Sequence, residues 1–139
     1  MWHVYAEIEL INGKDLALAR RSNIGEVEIK SISVNILVDT TSVYMCINEN
    51  IQEQLRLPII GQRKRQQPDG PTVECDVVGP IEVRFKNRRC TVNALVLPGD
   101  SEPLLGAMAL EEMDVLIHPY QRELIVNPDN PYFGQMQSE

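Results

Sequence analysis

Apolar and polar residues alternate from Val4 to Leu10, with Val4, Ala6, Ile8 and Leu10 separated by Tyr5, Glu7 and Glu9. Successive side chains of an extended chain point to opposite faces, so this period of two builds a strand with one buried face. The pattern returns at Ile32, Val34, Ile36 and Val38, at Val73, Cys75 and Val77, at Ile81, Val83 and Phe85, and at Val92, Ala94 and Val96. Val27 and Ile29 also alternate, one residue out of phase with Ile32, which implies a bulge or bend near Lys30-Ser31. A last strand pair is expected around Val115-Leu116-Ile117 and Leu124-Ile125-Val126.

The segments between these runs carry turn and helix signals. Asn12-Gly13 reads as a turn, and Leu16-Ala17-Leu18 fits either kind of element. Asn48 is a helix cap for a short helix bearing Ile51 and Leu55 on one face, which Pro58 stops by about Leu57. Pro68-Asp69-Gly70-Pro71 is the tip of a hairpin whose first arm is the polar stretch Arg63 to Gln67. Pro98-Gly99-Asp100 ends a strand, and Ala107 to Met113 is rich in helix formers over about two turns. Many short strands with one or two short helices argue an all-β barrel or sandwich. No internal linker interrupts them, so the reading is one domain over residues 1–139, with a polar tail at 129–139.

Composition narrows the function classes. At 139 residues, 43% hydrophobic and 24% charged, the chain can bury a core of its own. Its formal net charge of −7 opposes nucleic acid and anionic membrane surfaces as partners. Arg63-Lys64-Arg65 and Arg88-Arg89 are short basic exceptions, read as solvated strand or loop faces. The start lacks the basic segment and apolar run of a signal peptide, and no apolar stretch reaches membrane-helix length, so a cytoplasmic location is expected. Cys46, Cys75 and Cys90 lack the close spacing of zinc ligands and read as buried reduced thiols. His3 and His118 are far apart, and no metal or cofactor is expected.

Two segments could carry chemistry. Ile36-Leu37-Val38-Asp39-Thr40 sets an acid and a hydroxyl directly after an apolar strand, where a carboxylate needs hydrogen bonds or a partner. Alone it also fits a solvent-facing strand end. Pro103-Leu104-Leu105-Gly106 offers a glycine that permits close backbone approach, and alone it also fits a loop before a helix.

Their order is more specific: apolar residues then Asp-Thr, a short helix, a hairpin tipped by Asp-Gly, two strands, then Leu-Leu-Gly and a helix. This order resembles the retropepsin-like aspartic proteases, particularly their short stand-alone bacterial members, from about Ile32 to Pro128. The resemblance implies a retroviral-type acid protease barrel and a homodimer, with Asp39 as the catalytic carboxylate of each subunit and a peptide or unfolded protein as substrate. It also implies that Val38-Asp39-Thr40 and Leu104-Leu105-Gly106 cross beneath the site. Thr40 would bond across the dimer axis, Ser42 would fill a small-residue position, and Asp69 and Gly70 would tip a flap that closes over substrate.

One position departs from the family. Thr41 stands where the family has Gly, and its Cβ and methyl intrude beside the carboxylate pair while the amide donor is kept. The resemblance therefore admits two functions: an aspartic endopeptidase, or a catalytically impaired dimer acting as a peptide-binding or structural module.

Overall fold

The computed structural model describes residues 3–21, 25, 28–67 and 69–132. Strand β1, Val4–Asn12, runs antiparallel to β2, Ser31–Val38, with Val4 opposite Val38 and Ile11 opposite Ser31. The alternation sorts the faces as expected: Val4, Ala6, Ile8 and Leu10 are buried, and Tyr5 and Glu7 are exposed. Each large aliphatic side chain so buried contributes about 1.5–3 kcal/mol.

Between these strands lies α1, Gly13–Arg20, an element that the reading of Asn12-Gly13 as a turn did not foresee. Buried Asn12 caps it, its side-chain oxygen accepting from the Asp15 amide at 3.0 Å while its Nδ2 donates to the Leu55 carbonyl at 2.8 Å. Asp15, itself buried, then accepts from both the amide and the ammonium of Lys30, at 3.0 and 3.2 Å, and so fixes where β2 begins. The implied bend at Lys30-Ser31 is thus the start of a strand: Ile29 lies outside any strand, and Val27 is outside the described residues.

The remaining elements are β3 Met45–Asn48, α2 Glu49–Leu55, β4 Ile59–Gln66, β5 Thr72–Phe85, β6 Arg88–Leu97, β7 Leu104–Leu105, α3 Ala107–Met113, β8 Val115–Ile117 and β9 Leu124–Val126. Among the described residues there are three short helices, more than the one or two expected. Asn48 caps α2 through the Ile51 amide at 2.8 Å, Ile51 and Leu55 are buried, and the helix ends at Arg56 in the left-handed region, two residues before Pro58. The runs at Val73 and Ile81 belong to one long strand, β5, whose pairing with β6 shifts register between Val78 and Ile81. At that shift a side chain on Gly79 would collide with Asn93, which keeps the position small.

The main sheet has the order β1-β2-β7-β3-β6-β5-β4, and β1 also pairs with β5, whereas β8 and β9 form a separate antiparallel pair. The β1–β5 pairing makes the first strand integral to the sheet, so the organised region starts well before Ile32. A principal core joins one face of these strands to α2 and α3, and a smaller cluster gathers Cys46, Cys75, Leu95 and Leu97. The three cysteines are buried free thiols. Of the expected tail, residues 133–139 lie outside the described residues. Among the described residues no helix is long and apolar enough to cross a membrane.

Candidate active site

The site begins where β2 leaves the sheet. Leu37 and Val38 pair in parallel with Leu104 and Leu105 of β7, and the register continues one step further as the Asp39 amide donates to the Leu105 carbonyl at 3.0 Å. Val38 and Leu105 are both buried, so the backbone that presents Asp39 is anchored in the core. Asp39 itself is half-buried, and Thr40 and Thr41 are exposed.

A tight turn follows. The Ser42 amide donates to the Asp39 carbonyl at 3.2 Å, which folds Thr41 back over the carboxylate. Thr41 then gives two hydrogen bonds to one oxygen, Asp39 Oδ1: its amide at 3.0 Å and its hydroxyl at 2.6 Å. The amide bond needs only a backbone. The hydroxyl bond is what Thr adds over Gly, and it leaves Asp39 Oδ2 outside the pair.

The second segment closes against the first. The Ala107 amide donates to the Ser42 carbonyl at 2.7 Å and the Met108 amide to the Val43 carbonyl at 3.3 Å. A β-carbon on Gly106 would lie 2.6 Å from the Tyr44 carbonyl oxygen, 2.7 Å from that of Ser42 and 2.9 Å from that of Val43. Three backbone oxygens cannot move aside together, so only glycine permits this approach. The structure therefore brings Asp39, Thr40, Thr41 and Ser42 together with Leu104, Leu105 and Gly106, two segments more than 60 residues apart in sequence whose contact the periodicity could not reveal.

Two clefts flank this scaffold. Asp39 and Thr40 line one of about 300 Å³ together with His3, Leu37 and Ile117. Asp69 and Gly70 line another, of about 430 Å³, between the tip of the β4–β5 hairpin and the loop from Leu97 to Leu104. Leu104 belongs to this second cleft and Asp39 to the first, so the hairpin tip and the carboxylate do not share a cleft in a single chain. Pro68 lies outside the described residues.

Side chains that sequence reasoning assigned no role also shape the region. Arg63 on β4 lies over the Tyr44 ring at 4.7 Å and donates to its hydroxyl at 3.1 Å, tying the hairpin arm to the segment after Asp39. Tyr5 donates its hydroxyl to Glu102 at 2.8 Å, and that bond raises the phenol above its ordinary range. The strand period held a partial signal: Arg63 and Arg65 share a face of β4, and Arg65 reaches the 430 Å³ cleft. Burial raises the Cys46 thiol, in keeping with an inert apolar cluster rather than a nucleophile. Among the described residues no three His, Cys, Asp or Glu side chains gather as a metal site.

Among solved structures, the chain is similar to the retroviral protease-like domain of Ddi1 from Leishmania major, with a TM-score of 0.57 and 12% sequence identity over 92% of this chain and 90% of that one. At that identity the likeness shows the fold alone, a mostly β retropepsin-like arrangement with short helices. No protein-family model and no curated protein sequence matches the chain.

Proposed function

We propose that the chain is a single retropepsin-like domain that works as a homodimeric aspartic endopeptidase, its barrels paired so that two Asp39 carboxylates face each other. The observation that carries this reading is the fixed presentation of Asp39: its amide on Leu105, its Oδ1 on Thr41, and Gly106 pressed beneath the turn. A carboxylate held so firmly at the edge of a cleft suits general acid and base chemistry on water, with the hairpin supplying a cover for substrate in the paired molecule.

The chemistry needs two such groups. One ionised carboxylate takes a proton from water as the water oxygen attacks the peptide carbonyl carbon, and the protonated carboxyl gives its proton to the carbonyl oxygen. Collapse of the tetrahedral intermediate breaks the C–N bond, the leaving nitrogen taking up a proton. Two close carboxylates share one proton because both cannot ionise cheaply, so their titration belongs to the pair. One Asp39 per chain thus requires a second chain. Thr40 at the dimer axis, and Asp69 with Gly70 in the flap tip, complete the reading. A cytoplasmic location and unfolded or extended peptide substrates go with it.

The test is cleavage of an unfolded protein and a peptide library by the wild type and by Asp39→Asn, with a pepstatin-like inhibitor as control. Turnover by the wild type that the substitution and the inhibitor both abolish supports the proposal. Equal turnover by both forms sinks it.

The Thr41 hydroxyl at 2.6 Å from Asp39 favours a second reading, in which the side chain occupies space that the reacting water needs and the dimer binds extended peptides without cleaving them. Thr41→Gly separates the two. The endopeptidase reading expects turnover to persist, lowered by up to about tenfold with loss of the hydroxyl, and the binding-module reading expects proteolysis to appear where the wild type has none.

A further inference from the structure

The 430 Å³ cleft under the hairpin is asymmetric in its lining. Its floor is apolar, built from Leu97 and Leu104. Its two walls differ in charge. The hairpin wall carries one charge of each sign, Arg65 and Asp69, whereas the opposite wall carries Glu102 alone.

The wall that bears Glu102 is braced at several points. The Ser101 amide and hydroxyl donate to the Pro98 carbonyl at 3.2 and 2.6 Å, and Asn48 Nδ2 donates to the Ser101 carbonyl at 2.9 Å. Glu49 clasps Gly99 in both directions, its amide donating to the Gly99 carbonyl at 3.1 Å and its carboxylate accepting from the Gly99 amide at 2.6 Å. Glu102 is then aimed by Tyr5, whose hydroxyl donates to Oε2 at 2.8 Å across 97 residues of sequence. That bond leaves Oε1 to accept a further donor. A carboxylate held ready on a rigid wall forfeits little side-chain freedom on binding.

We propose that this cleft is a specificity subsite for a lysine or arginine side chain of the substrate, with Glu102 as the residue that selects it and Tyr5 as its positioning residue. The inference rests on the peptide-cleaving or peptide-binding reading above. The aliphatic stem of the basic residue lies along Leu97 and Leu104, and its cationic head donates to Glu102 Oε1. Arg65 on the hairpin opposes the same cation and offsets part of the preference, and Asp69 lines the same cleft with the opposite charge. Leu104 opens the strand that pairs with Leu37, two residues before Asp39, which sets this cleft one strand from the carboxylate.

The test scans decapeptides in which each position in turn is lysine, norleucine or glutamate, norleucine keeping the stem without the ammonium. Cleavage is read as kcat/KM with the wild type, and binding by fluorescence anisotropy with Asp39→Asn. At one position lysine is expected to exceed norleucine by roughly tenfold, the size of a 1.4 kcal/mol preference. Glu102→Gln removes that ratio, Glu102→Lys turns it toward glutamate, Tyr5→Phe reduces it several-fold, and Arg65→Ala increases it. Cleavage with no lysine preference, or with one that Glu102→Gln leaves intact, overturns the subsite while the endopeptidase reading stands. Lysine-selective binding without cleavage keeps the subsite and sinks the endopeptidase. A failure to bind or cleave any peptide overturns both.

Discussion

At the scale of single residues, the distinctive group is the Thr41 hydroxyl, which shares Asp39 Oδ1 with the Thr41 amide. A hydrogen bond to a charged group contributes about 1.5–3 kcal/mol, and here it also fixes which oxygen of Asp39 is turned away from the turn. If the chain is an endopeptidase, Thr41→Ser is expected to keep kcat within about twofold and Thr41→Val, which preserves shape without the hydroxyl, to lower it about tenfold with KM little changed. Equal kcat for Val and Thr would show the hydroxyl to be idle. Gly106 allows a prediction independent of activity. Alanine there meets three carbonyl oxygens at 2.6–2.9 Å, and the expected loss is about 2–4 kcal/mol in urea unfolding. Asp39 and Gly106 stood out in the sequence through the order of motifs around them, since each alone also fits a strand end or a loop before a helix. The partners of Tyr5 and Arg63 did not, because a contact across 97 residues or between two exposed side chains leaves no periodic trace.

At the scale of elements, the strand period and the capping of α2 by Asn48 were legible because they are local: side-chain alternation and an Asx cap need no tertiary information. Helix α1 stays open in the sequence, since Leu16-Ala17-Leu18 fits either kind of element. Its cap carries the same Asn-to-amide bond three residues on, but the adjacent Gly13 pointed to a turn, and the helix holds only because Asn12 and Asp15 are buried against Leu55 and Lys30. The merger of two expected strands into β5 was illegible for a related reason, since Gly79-Pro80 punctuates a sequence locally while β6 continues to pair on either side of it. Strand β4 is exposed along nearly its whole length and, among the described residues, pairs with β5 alone, so Tyr44 is its main side-chain hold on the body of the protein. Arg63→Ala is therefore expected to speed amide hydrogen exchange in both hairpin arms about tenfold while leaving β1 and β2 unchanged. Exchange that rises uniformly, or not at all, would deny Arg63 that role. A second element, the turn after β9, is held to the end of α3 by Asp114, which accepts from Asn127 at 3.0 Å and Asn130 at 2.8 Å. Those bonds lower the Asp114 carboxyl below its ordinary range, so their stabilisation is full above the unfolded value and is lost as pH falls through the lower folded one. Asp114→Ala is expected to lower the melting temperature by about 3–6 °C at neutral pH, and to narrow that gap in acid. A gap that widens in acid would reverse the assignment.

At the scale of the whole molecule, the question is whether the site belongs to one chain or two. Each chain supplies one Asp39 at the edge of a cleft that also holds His3 and Ile117, and the flap tip lines a different cleft of the same chain. A water activated between two carboxylates would need the second from a symmetry-related copy, and an isologous arrangement places identical residues opposite each other at the axis. Mixing is a sharper test of this than size alone. When wild type and Asp39→Asn are combined in equal amounts and allowed to exchange subunits, random pairing leaves about one quarter of the dimers with both carboxylates. Activity per total protein should then fall to about one quarter of the pure wild type, and to about one half if each chain works alone. Sedimentation at the same concentrations fixes the dimer fraction, so that a monomeric protein retaining half its activity rejects the shared site outright. A value near one quarter that returns toward one half when subunits are mixed without time to exchange would tie the chemistry to the pair rather than to either chain.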